Sequence, residues 1–472
     1  MKLIEIVNDY QYILQKGSLD IEITDIKNDS RKVKKGDLFI AERGFTVDGH
    51  DFIENAIKNG AVGVVIDREL EINEDVTVIQ VKDSVDALAR FSSIFNNKPW
   101  EQLELIGITG TNGKTSTTYF IKSIFEEYNK KVGIIGTIGA IIGDEKSDIS
   151  NTTPNALTIH NLLKEMVEKK LDTCIMEVSS HALELKRVNY MDFHVGIFTN
   201  LSKDHLDYHE TMEKYFQSKL KLFNKTKSYN IINIDDEYGR EIIDLIGESV
   251  PLLTYGIKNK GDIFATDIAF SLSKVSFNLN TPKGNIDIEL NIPGEFSIYN
   301  SLAAAACAYA YGIDLITIKK GLESLEGIKG RFEVVPTNTD YTVIIDFAHT
   351  ADGLEKVLKV IKEFAEGRII VVFGAGGNRD RTKRPEMGET VGKYADLSIV
   401  TSDNPRFEEP ETIIDDVLVG TRKIGGEYVK IIDREEAIKY ALDNARPKDI
   451  ILLAGKGHET YTIINGKTIP FD

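Results

Sequence analysis

The sequence predicts an α/β protein of three successive units, of which the second and third contain mostly parallel sheets. Short apolar runs that suit buried strands alternate with helical patterns along both of these units. A glycine-rich turn joins one such strand directly to a helix at residues 105–118. The chain has 472 residues, which is long for one hydrophobic core and fits about three domains.

The first predicted unit covers residues 1–98. Its predicted strands and helices are short apolar runs at 36–41, 61–67 and 76–81 and amphipathic runs at 52–60 and 84–96. The following segment, NNKPWEQ (96–102), is rich in residues that interrupt regular structure and is predicted as a linker.

The second predicted unit covers residues 99–328. After the strand in LELIGITG, further strands are predicted at 131–137, 172–178, 194–200 and 228–235, with helices between them. Around 261–293 the apolar residues recur with a period of two, which predicts an antiparallel patch. Residues 298–312 are predicted as a helix that ends at Gly312.

The third predicted unit covers residues 329–472. Its strands are predicted at 341–347, 368–375, 396–403 and 449–457, again with helices between them. This alternation predicts a second doubly wound sheet.

Composition excludes some functions. A net charge of −17 argues against general binding to nucleic acid or to an anionic membrane, although a cationic pocket for an anionic substrate remains compatible with it. Two cysteines lie in apolar runs and are predicted to pack in a core in a reducing compartment. No apolar run approaches ~18 residues, and the N-terminus lacks a signal-peptide pattern, so we expect a cytoplasmic chain without a membrane span.

The turn GTNGKTS (110–116) is the strongest chemical signal in the chain. Position 108 is Ile, so the strict phosphate-loop pattern is not met. The physical requirements are met, because small residues let backbone N–H groups point at phosphate oxygens and a helix begins at once. Lys114 can reach the β- and γ-phosphates, and Thr115 can offer a hydroxyl to Mg²⁺. The alternative is a glycine-rich turn without a ligand.

A lysine lies on the apolar face of the helix predicted at 209–223. Met212, Phe216, Lys219 and Phe223 share that face, whereas the opposite face carries Lys214, Ser218 and Lys221. One interpretation is that Lys219 extends its ammonium to solvent at the edge of the apolar face. The other is a buried neutral amine that adds CO₂ and becomes a carbamate, which is a metal ligand.

Two further residues fit a metal site. Glu177 ends the buried strand CIMEV, where an unliganded carboxylate is costly, and His205 follows the next strand. Ligands at the carboxyl ends of parallel strands meet where nucleotides bind. Glu177, His205 and a carbamylated Lys219 are therefore predicted to hold Mg²⁺ beside the turn.

Eleven segments occur in an order that resembles the Mur ligase family along nearly the whole chain. They are DSRKVKKGDLFIA, GTNGKTSTT, NTTP, EVSSHAL, NLSKDHLDYH, MEKYFQSK, GRFE, DFAHT, GGNRDRTKRP, DNPRFEEP and AGKGHE. The resemblance implies a three-domain architecture: an N-terminal α/β domain for a UDP substrate (1–98), a central P-loop ATPase domain (99–328) and a C-terminal Rossmann-like domain for an amino acid (329–472). It also implies that Lys219 is carbamylated.

The resemblance implies the following site residues. The residues implied for catalysis are Lys114, Lys219 as N6-carboxylysine, His205 and Glu177. The residues implied to bind Mg²⁺ are Thr115, Glu177, His205 and Lys219. The residues implied to bind ATP are Gly110, Thr111, Asn112, Gly113, Lys114, Thr115, Ser116, Asn300, Arg331 and Asp346. The residues implied to bind the UDP-MurNAc-dipeptide are Ser30, Asn151, Thr152, Thr153, Ser179 and Arg187. The residues implied to bind meso-diaminopimelate are Arg379, Asp403, Asn404, Pro405, Arg406, Gly455 and Glu459. Leu185, Ser297 and Ala351 depart from the family pattern.

The implied reaction is the ATP-dependent addition of meso-diaminopimelate to UDP-MurNAc-L-Ala-D-Glu in peptidoglycan precursor synthesis, by a monomer. Arg406 in DNPR suits the second carboxylate of diaminopimelate, because a guanidinium binds a carboxylate through two parallel hydrogen bonds. The alternative for Arg406 is a surface ion pair with Glu408 or Glu409. Rival functions are a lysine-adding ligase, a folylpolyglutamate or cyanophycin-type ligase, and a nucleotide-gated binding protein.

Overall fold

The computed structural model describes residues 1–44, 47–149, 151–271 and 273–471, and the chain divides into two compact units. The first unit comprises Met1–Thr109, Lys130–Gly196 and Ser218–Tyr229, and the second comprises Gly110–Asn129, Ile197–Gln217 and Asn230–Asp472. The predicted domain boundaries at 98/99 and 328/329 stay predictions.

The regular elements alternate along the chain as the apolar runs predict. The helices are α1 (Leu3–Ile6), α2 (Ile53–Lys58), α3 (Ser84–Phe95), α4 (Lys114–Glu127), α5 (Ala156–Glu168), α6 (Ser180–Glu184), α7 (Leu206–His209), α8 (Met212–Leu220), α9 (Glu237–Ile246), α10 (Glu295–Ala310), α11 (Leu315–Ser324), α12 (Ala351–Phe364), α13 (Lys383–Tyr394), α14 (Pro410–Lys423) and α15 (Arg434–Asp443).

Strands fall between these helices and in three hairpins. They are β1 (Tyr12–Lys16), β2 (Ile26–Lys27), β3 (Leu38–Ile40), β4 (Gly63–Ile66), β5 (Thr77–Val81), β6 (Glu104–Thr109), β7 (Val132–Gly136), β8 (Gly139–Ile142), β9 (Glu145–Ser147), β10 (Thr173–Glu177), β11 (Phe193–Phe198), β12 (Thr226–Asn233), β13 (Leu252–Gly256), β14 (Ile263–Phe270), β15 (Val275–Thr281), β16 (Gly284–Leu290), β17 (Glu333–Val335), β18 (Thr342–Asp346), β19 (Ile369–Phe373), β20 (Leu397–Val400), β21 (Tyr428–Lys430), β22 (Ile450–Ala454), β23 (Tyr461–Ile464) and β24 (Lys467–Pro470).

The first unit contains a five-stranded sheet in the order β1-β5-β4-β3-β2, parallel except for β1. Both faces of this sheet are covered. Alternate residues of one strand enter different cores, since Leu38 and Ile40 pack in one cluster and Phe39 in another. That double burial explains why its strands are continuous apolar runs rather than alternating ones.

The first unit also carries the strand that leads to the glycine-rich turn. β6 pairs in parallel with β10, and β10 pairs in parallel with β7, with Glu177 opposite Ile108 at the carboxyl end. The antiparallel strands β8 and β9 follow β7 as a hairpin that the sequence patterns did not predict.

The second unit contains the antiparallel patch and a six-stranded sheet. β14, β15 and β16 pair antiparallel, which confirms the period-two prediction around 261–293. The six-stranded sheet has the order β17-β18-β22-β19-β20-β21 and is parallel except for β17. Apolar clusters cover both of its faces, so the doubly wound prediction for the third stretch of chain is confirmed.

The helix predicted at 209–223 is shorter than expected. Glu210 has a φ of +65°, which a continuous helix does not allow, and α8 begins only at Met212. The side chain of Thr211 accepts a hydrogen bond from Lys214 N at 3.2 Å and so caps the new helix. After Leu220 the chain passes into a short 3₁₀ turn that contains Phe223.

Candidate active site

The glycine-rich turn has the geometry that the sequence predicts. β6 ends at Thr109 and α4 begins at Lys114, so four residues join strand and helix. Gly113 has a φ of +89°, and a Cβ there would lie 2.3 Å from Oδ1 of Asn300. A side chain at this position would be strained by its backbone and would collide with Asn300, a residue that the resemblance assigns to ATP.

Two cations converge on the turn. The Lys114 ammonium donates to the carbonyl oxygens of Gly110 at 2.9 Å and Thr111 at 2.8 Å, and so lies over the loop. Arg331 Nη2 donates to Thr115 Oγ1 at 3.0 Å. The structure thus brings Arg331 to the turn from more than 200 residues along the chain.

Arg331 is fixed by its neighbours. Its guanidinium stacks over the ring of Phe347 at 4.6 Å from the centroid. The buried carboxylate of Asp346 accepts the N–H groups of Phe332 and Ala348, each at 2.7 Å. Burial raises the pKa of Asp346, while Arg331 and these N–H groups act in the opposite direction. Asp346 and Arg331 thus place a carboxylate and a guanidinium beside the glycine-rich turn.

A second charged group follows β11. The buried carboxylate of Asp204 lies 3.4 Å from His205 Nε2, 3.9 Å from His349 Nε2 and 3.5 Å from Lys383 Nζ. Burial alone would raise the pKa of Asp204, but these three neighbours hold it below its usual value. His205 itself has a φ of +55°, and its backbone N–H bonds Asp204 Oδ1, so its position is set by a tight local turn.

Glu177 lies in the first unit and is almost fully buried. Its two carboxylate oxygens accept hydrogen bonds from the N–H and the hydroxyl of Thr137, each at 2.9 Å. The protein therefore meets part of the demand of this buried carboxylate without a metal. The burial of Glu177 is therefore weaker evidence for a bound ligand than the sequence alone indicated.

Several residues predicted for the dipeptide are joined in the first unit. Thr153 Oγ1 donates to the Glu177 carbonyl at 2.7 Å and accepts from Ser179 N at 3.0 Å. Arg187 Nη1 donates to the Thr153 carbonyl at 2.7 Å. Thr152 Oγ1 lies 3.1 Å from the hydroxyl of Thr137. Thr152, Thr153 and Ser179 therefore lie beside Glu177 and Thr137, and Arg187 joins them through the Thr153 carbonyl.

Ser30 and Asn151 complete the predicted dipeptide residues. Ser30 is buried in a short 3₁₀ helix of the five-stranded sheet region, and its carbonyl accepts from Asn59 Nδ2 at 2.8 Å. Asn151 is exposed.

Lys219 is buried, with only 1% of its surface exposed. The interpretation in which its ammonium reaches solvent is therefore wrong. Lys221, two residues on, is exposed and pairs with Glu184. The placement of Ser218 on the water-facing side is also wrong, because Ser218 is buried and donates to the Ser180 carbonyl at 2.8 Å. A hydroxyl can enter a helix interface where it finds a backbone acceptor, which apolar periodicity does not reveal.

Two loops at the carboxyl ends of the six-stranded sheet carry the predicted amino-acid residues. We call residues 374–382, after β19, the glycine loop, and residues 401–409, after β20, the arginine loop. Gly377 N donates to the Asn404 carbonyl at 2.9 Å, and a Cβ on Gly377 would lie 1.9 Å from the Pro405 carbonyl oxygen. Only glycine allows the two backbones to approach so closely.

Arg406 lies across this junction. It has a φ of +55°, and its Nη1 donates to the Gly377 carbonyl at 2.8 Å and the Asn404 carbonyl at 3.4 Å. Burial lowers the pKa of Arg406, and the positive charge of Arg379 lowers it further. The predicted alternative, an ion pair with Glu408, is not what forms. We infer a pocket wall with two guanidinium groups in mutual repulsion.

The same pocket carries acids. Asn404 Nδ2 donates to Glu459 Oε2 at 2.9 Å, and the Lys456 ammonium lies 3.6 Å from the same oxygen. Burial, followed by the negative charge of Asp403, raises the pKa of Glu459. Arg434, fully enclosed, lies 3.8 Å from Asp403. Cationic and anionic side chains thus lie together at these loops, and a zwitterionic amino acid would carry groups that complement both signs.

Nucleotide and amino-acid residues are neighbours within the second unit. Gly455 N donates to the Asp346 carbonyl at 3.0 Å. The His458 ring lies 5.2 Å from the Phe347 ring, on whose face Arg331 stacks. Residues that the resemblance assigns to ATP and to the amino acid are therefore in contact within this unit.

Sequence reasoning missed several residues of these groups. They are Asp204, His349, Asp352, Lys383, Arg384, Arg434 and Lys456. Five lie inside or beside the motif segments DFAHT, GGNRDRTKRP and AGKGHE, and position within those segments was the available signal. Arg434 had no such signal, because it reaches the pocket from α15.

Among residues 1–44, 47–149, 151–271 and 273–471, no group of three or more His, Cys, Asp or Glu side chains could by itself hold a metal ion. In the same described residues, no helix is both long and apolar enough to cross a bilayer.

The fold and the site define an α/β protein with a glycine–lysine–threonine nucleotide turn and a charged pocket at the ends of a second parallel sheet. Three family models match: the Mur ligase catalytic domain at residues 22–96, the Mur ligase middle domain at 108–308, and the Mur ligase glutamate ligase domain at 330–457. The chain belongs to the Mur ligase family, which confirms the predicted family and fold class.

Individual relatives agree with the family. The UDP-N-acetylmuramoyl-L-alanyl-D-glutamate–2,6-diaminopimelate ligase of Caldanaerobacter subterraneus is 48% identical over 472 residues, covering 100% of this chain and 97% of the relative. A solved structure of a ligase of that name is 33% identical with a TM-score of 0.69, covering 100% of this chain and 96% of the other. The MurF ligase of Thermotoga maritima, crystallised with ADP, shares the fold at 19% identity with a TM-score of 0.66, covering 92% and 94% of the two chains.

Proposed function

We propose that this chain is an ATP-dependent ligase that adds meso-diaminopimelate to the D-glutamate side-chain carboxylate of UDP-MurNAc-L-Ala-D-Glu, in peptidoglycan precursor synthesis. The relative from Caldanaerobacter carries the name of this activity, and its similarity extends over the whole chain. The single observation that carries the proposal is the pair of guanidinium groups, Arg379 and Arg406, in a pocket that also holds Asp403 and Glu459. We further propose that the enzyme acts as a monomer in the cytoplasm.

The first chemical step activates a carboxylate. The γ-phosphoryl group passes from ATP to an oxygen of the D-glutamate carboxylate, which gives an acyl phosphate and ADP. Lys114, Thr115 and Arg331 are the residues that we assign to the phosphates, because all three converge on the glycine-rich turn. Their charges offset the anions that this step brings together.

The remaining predicted ATP residues support the same assignment. They are Gly110, Thr111, Asn112, Gly113, Ser116, Asn300 and Asp346. Gly113 admits the side chain of Asn300 to the turn, and Asp346 fixes the loop that presents Arg331. Backbone N–H groups of the turn and the first turn of α4 supply the anion-binding positions.

From the family resemblance, the residues that we propose as Mg²⁺ ligands are Thr115, Glu177, His205 and Lys219. A hydroxyl, a carboxylate, an imidazole and a carbamate oxygen suit this hard cation when phosphate oxygens complete its coordination. Mg²⁺ supplies charge neutralisation between phosphoryl oxygens when it is bound. Burial of Lys219 supports the carbamate, because a neutral amine is the form that adds CO₂ and the form that burial favours.

The carbamate has a direct test. Lys219→Arg keeps a cation and cannot form the carbamate, so we expect it to remove ligation activity even with added bicarbonate. Lys221→Arg, on the same helix but exposed and paired with Glu184, is the matched control and keeps activity. The mass of the peptide that contains Lys219 is measured on fully active enzyme under non-acidic conditions. A mass without added CO₂ would overturn the assignment.

The acceptor substrate is assigned to the first unit. Thr152, Thr153, Ser179 and Arg187 form one hydrogen-bonded cluster, and Ser30 and Asn151 are proposed with them from the family resemblance. The Arg187 guanidinium is the group of this cluster that suits a carboxylate of the dipeptide.

The second chemical step forms the amide. The amine at the L-centre of diaminopimelate attacks the acyl carbon, a C–N bond forms, the C–O bond to phosphate breaks, and the amine loses a proton. Glu459, with Asp403, is assigned to the ammonium beside the distal carboxylate, and Arg379 with Arg406 to that carboxylate. Asn404, Pro405 and Gly455 shape the pocket backbone. Holding the amine beside the acyl phosphate converts an encounter into an intramolecular reaction.

Product mass tests the whole proposal. Purified protein, ATP, Mg²⁺ and UDP-MurNAc-L-Ala-D-Glu are incubated with meso-diaminopimelate or with L-lysine, and the tripeptide products are weighed. We expect tripeptide mainly with diaminopimelate. Tripeptide only with lysine would assign the lysine-adding function instead. ATP hydrolysis that is independent of either amino acid, without tripeptide, would favour a nucleotide-gated binding protein or a folylpolyglutamate or cyanophycin-type ligase.

A further inference from the structure

A buried guanidinium outside the predicted site joins the glycine loop to the arginine loop. Arg384, in the first turn of α13, has a side chain that is 0% exposed. Its Nη1 and Nη2 donate to both carboxylate oxygens of Glu408 at 2.9 and 2.8 Å, and Nη2 also donates to the Gly376 carbonyl at 3.2 Å. Nη1 donates to Asp416 as well, at 2.9 Å. One side chain thus contacts both loops and α14.

The contacts around Arg384 continue toward the pocket. Glu408 also accepts the backbone N–H of Asn378, and Asn378 Oδ1 accepts from Phe407 N at 3.0 Å. Arg406 then donates to the Gly377 carbonyl. Arg384 is therefore linked through Glu408 to Asn378 and Phe407, which are the chain neighbours of Arg379 and Arg406. Strained backbone such as Arg406, at φ +55°, persists only where its surroundings fix it several times over.

Stability alone does not explain a buried arginine here. Removing a guanidinium from water is costly, and apolar side chains of similar size often serve a fold equally well. Nε of Arg384 is buried without a hydrogen-bond partner in the part of the chain that the structure describes, so the burial is not even fully compensated. What an apolar side chain cannot supply is the fixed planar geometry that holds Glu408 and Asp416 in place.

Arg384 also determines which charges remain unpaired. Glu408 lies two residues from Arg406 and is the carboxylate that the sequence offers as its partner. Hydrogen bonding to Arg384 lowers the pKa of Glu408 and commits both of its oxygens. Because both Glu408 oxygens are occupied, Glu408 does not neutralise Arg406, and the carboxylates that act on Arg406 are Asp403 and Glu459.

We propose that Arg384 is a positioning residue for amino-acid selection: by holding Glu408 away from Arg406 and locking the two loops together, it keeps the two pocket guanidinium groups available for a distal carboxylate. This inference rests on the proposed function, since it concerns the preference for diaminopimelate over lysine. Arg384 does not touch the substrate, and its effect acts through Arg406 and the loop backbone.

The main test is Arg384→Met, assayed with diaminopimelate and with lysine. We expect KM for diaminopimelate to rise roughly tenfold or more, because small displacements of positioned groups have effects of that size. The preference for diaminopimelate over lysine falls by a similar factor, while kcat and the KM for ATP change little. Arg368→Met is the matched control, since it breaks a buried ion pair with Asp449 at the amino ends of β19 and β22, away from the pocket. It should keep the preference.

Two double variants separate positioning from general charge relief. Arg384→Met frees Glu408 to pair with Arg406, so adding Glu408→Gln should restore part of the diaminopimelate preference. Adding Asp416→Asn instead removes the other carboxylate that Arg384 contacts and should restore none. Equal rescue by both, or a preference in Arg384→Met within about twofold of wild type, would overturn the proposal.

Hydrogen exchange keeps the inference testable if the ligation assay fails. In Arg384→Met, peptides from the glycine loop and the arginine loop should both exchange faster than in wild type and in Arg368→Met. Unchanged exchange would sink the positioning role even if the proposed function stands. Absence of tripeptide from wild-type protein would sink the proposed function alone. If Arg384→Met does not fold, Arg384→Lys is assayed in its place: one ammonium cannot hold both Glu408 oxygens and Asp416, so the preference should fall roughly threefold.

Discussion

The nucleotide turn and the amino-acid pocket, both in the second unit, treat their cations in opposite ways. At the turn, Lys114 donates to two carbonyl groups of its own loop and Arg331 donates to Thr115. In the pocket, Arg406 also donates to carbonyl groups, but it faces the like charge of Arg379, and its nearest carboxylate in sequence is held by another arginine. The cations of the turn donate to neutral acceptors, whereas Arg406 lies near charges of both signs: Arg379 lowers its pKa, and Asp403 and Glu459 raise it.

This difference indicates how the two regions would contribute to the reaction. A lysine that already has acceptors can exchange them for phosphate oxygens, so its contribution lies in the charge it supplies during phosphoryl transfer. A pocket with two repelling guanidinium groups gains most from a ligand that brings a carboxylate to them. We therefore expect changes at the turn to reduce kcat and changes in the pocket to alter which amino acid is used.

The largest effect is expected at the turn. Lys114→Met removes the only side-chain cation of the GTNGKTS loop, and we expect kcat for tripeptide formation to fall by roughly 10³-fold or more. The preference for diaminopimelate over lysine, measured on the residual activity, should be unchanged. Lys122→Met is the control on the same helix, where Lys122 forms only a surface pair with Glu126. A kcat within tenfold of wild type in Lys114→Met would contradict this role.

A smaller and different effect is expected in the pocket. Arg406→Ala leaves Arg379 alone to bind the distal carboxylate, and we expect KM for diaminopimelate to rise roughly 100-fold, as for the loss of a buried charge-assisted pair. The KM for ATP should stay within about twofold, since Arg406 makes no contact with the turn. Arg422→Ala, an exposed arginine that contacts Tyr428, serves as the control. An unchanged KM for diaminopimelate would exclude the two-arginine pocket.

The acid side of the pocket predicts a pH dependence. Burial, and then Asp403, raise the pKa of Glu459 above the ordinary 4.5 of a glutamate. Only ionised Glu459 attracts an ammonium, and this form is lost as pH falls through the raised pKa. KM for diaminopimelate should therefore rise by up to about tenfold per pH unit on the acid side.

Glu459→Gln checks the assignment of that pH dependence. The variant cannot titrate at this position, so its KM for diaminopimelate should be high at every pH and nearly constant on the acid side. Measuring KM for ATP over the same range separates pocket titration from titration of the nucleotide. An acid limb that persists unchanged in Glu459→Gln would assign it to another group.

The two regions also differ in how much of them the sequence could predict. The nucleotide turn is nearly contiguous, so glycine spacing and a lysine before a helix identified Lys114 and Thr115 directly. The pocket is assembled from loops more than 20 residues apart, and its central contact requires Arg406 at positive φ and a glycine at 377 against the Pro405 carbonyl. No local pattern gives these distances, and only the family resemblance pointed to the residues.

The same distinction applies to the fold. Continuous apolar runs predicted the buried strands β3, β4, β19 and β22, since burial on both faces leaves no alternation to misinterpret. The strands β9, β23 and β24 were missed, because they are largely polar or exposed. Periodicity placed Lys219 on the apolar face but left its burial open, and the buried carboxylate of Asp204 and the buried guanidinium of Arg384 required tertiary contacts to explain them.

The smallest expected effect concerns how far the nucleotide turn depends on its contact with α12 of the same unit. Asn112, in the turn, donates through Nδ2 to Asp352 on α12 at 2.9 Å, and Asp352 also accepts from Ser202 and Lys356. A double-mutant cycle of Asn112→Ala and Asp352→Ala on KM for ATP should give a coupling of about 1 kcal/mol, or roughly fivefold, as for one partly buried hydrogen bond to a charge. KM for diaminopimelate should not show this coupling. A coupling of zero in the KM for ATP would mean that the turn is organised within its own loop. The contrast between such a turn and a pocket built from distant loops would then be sharper still.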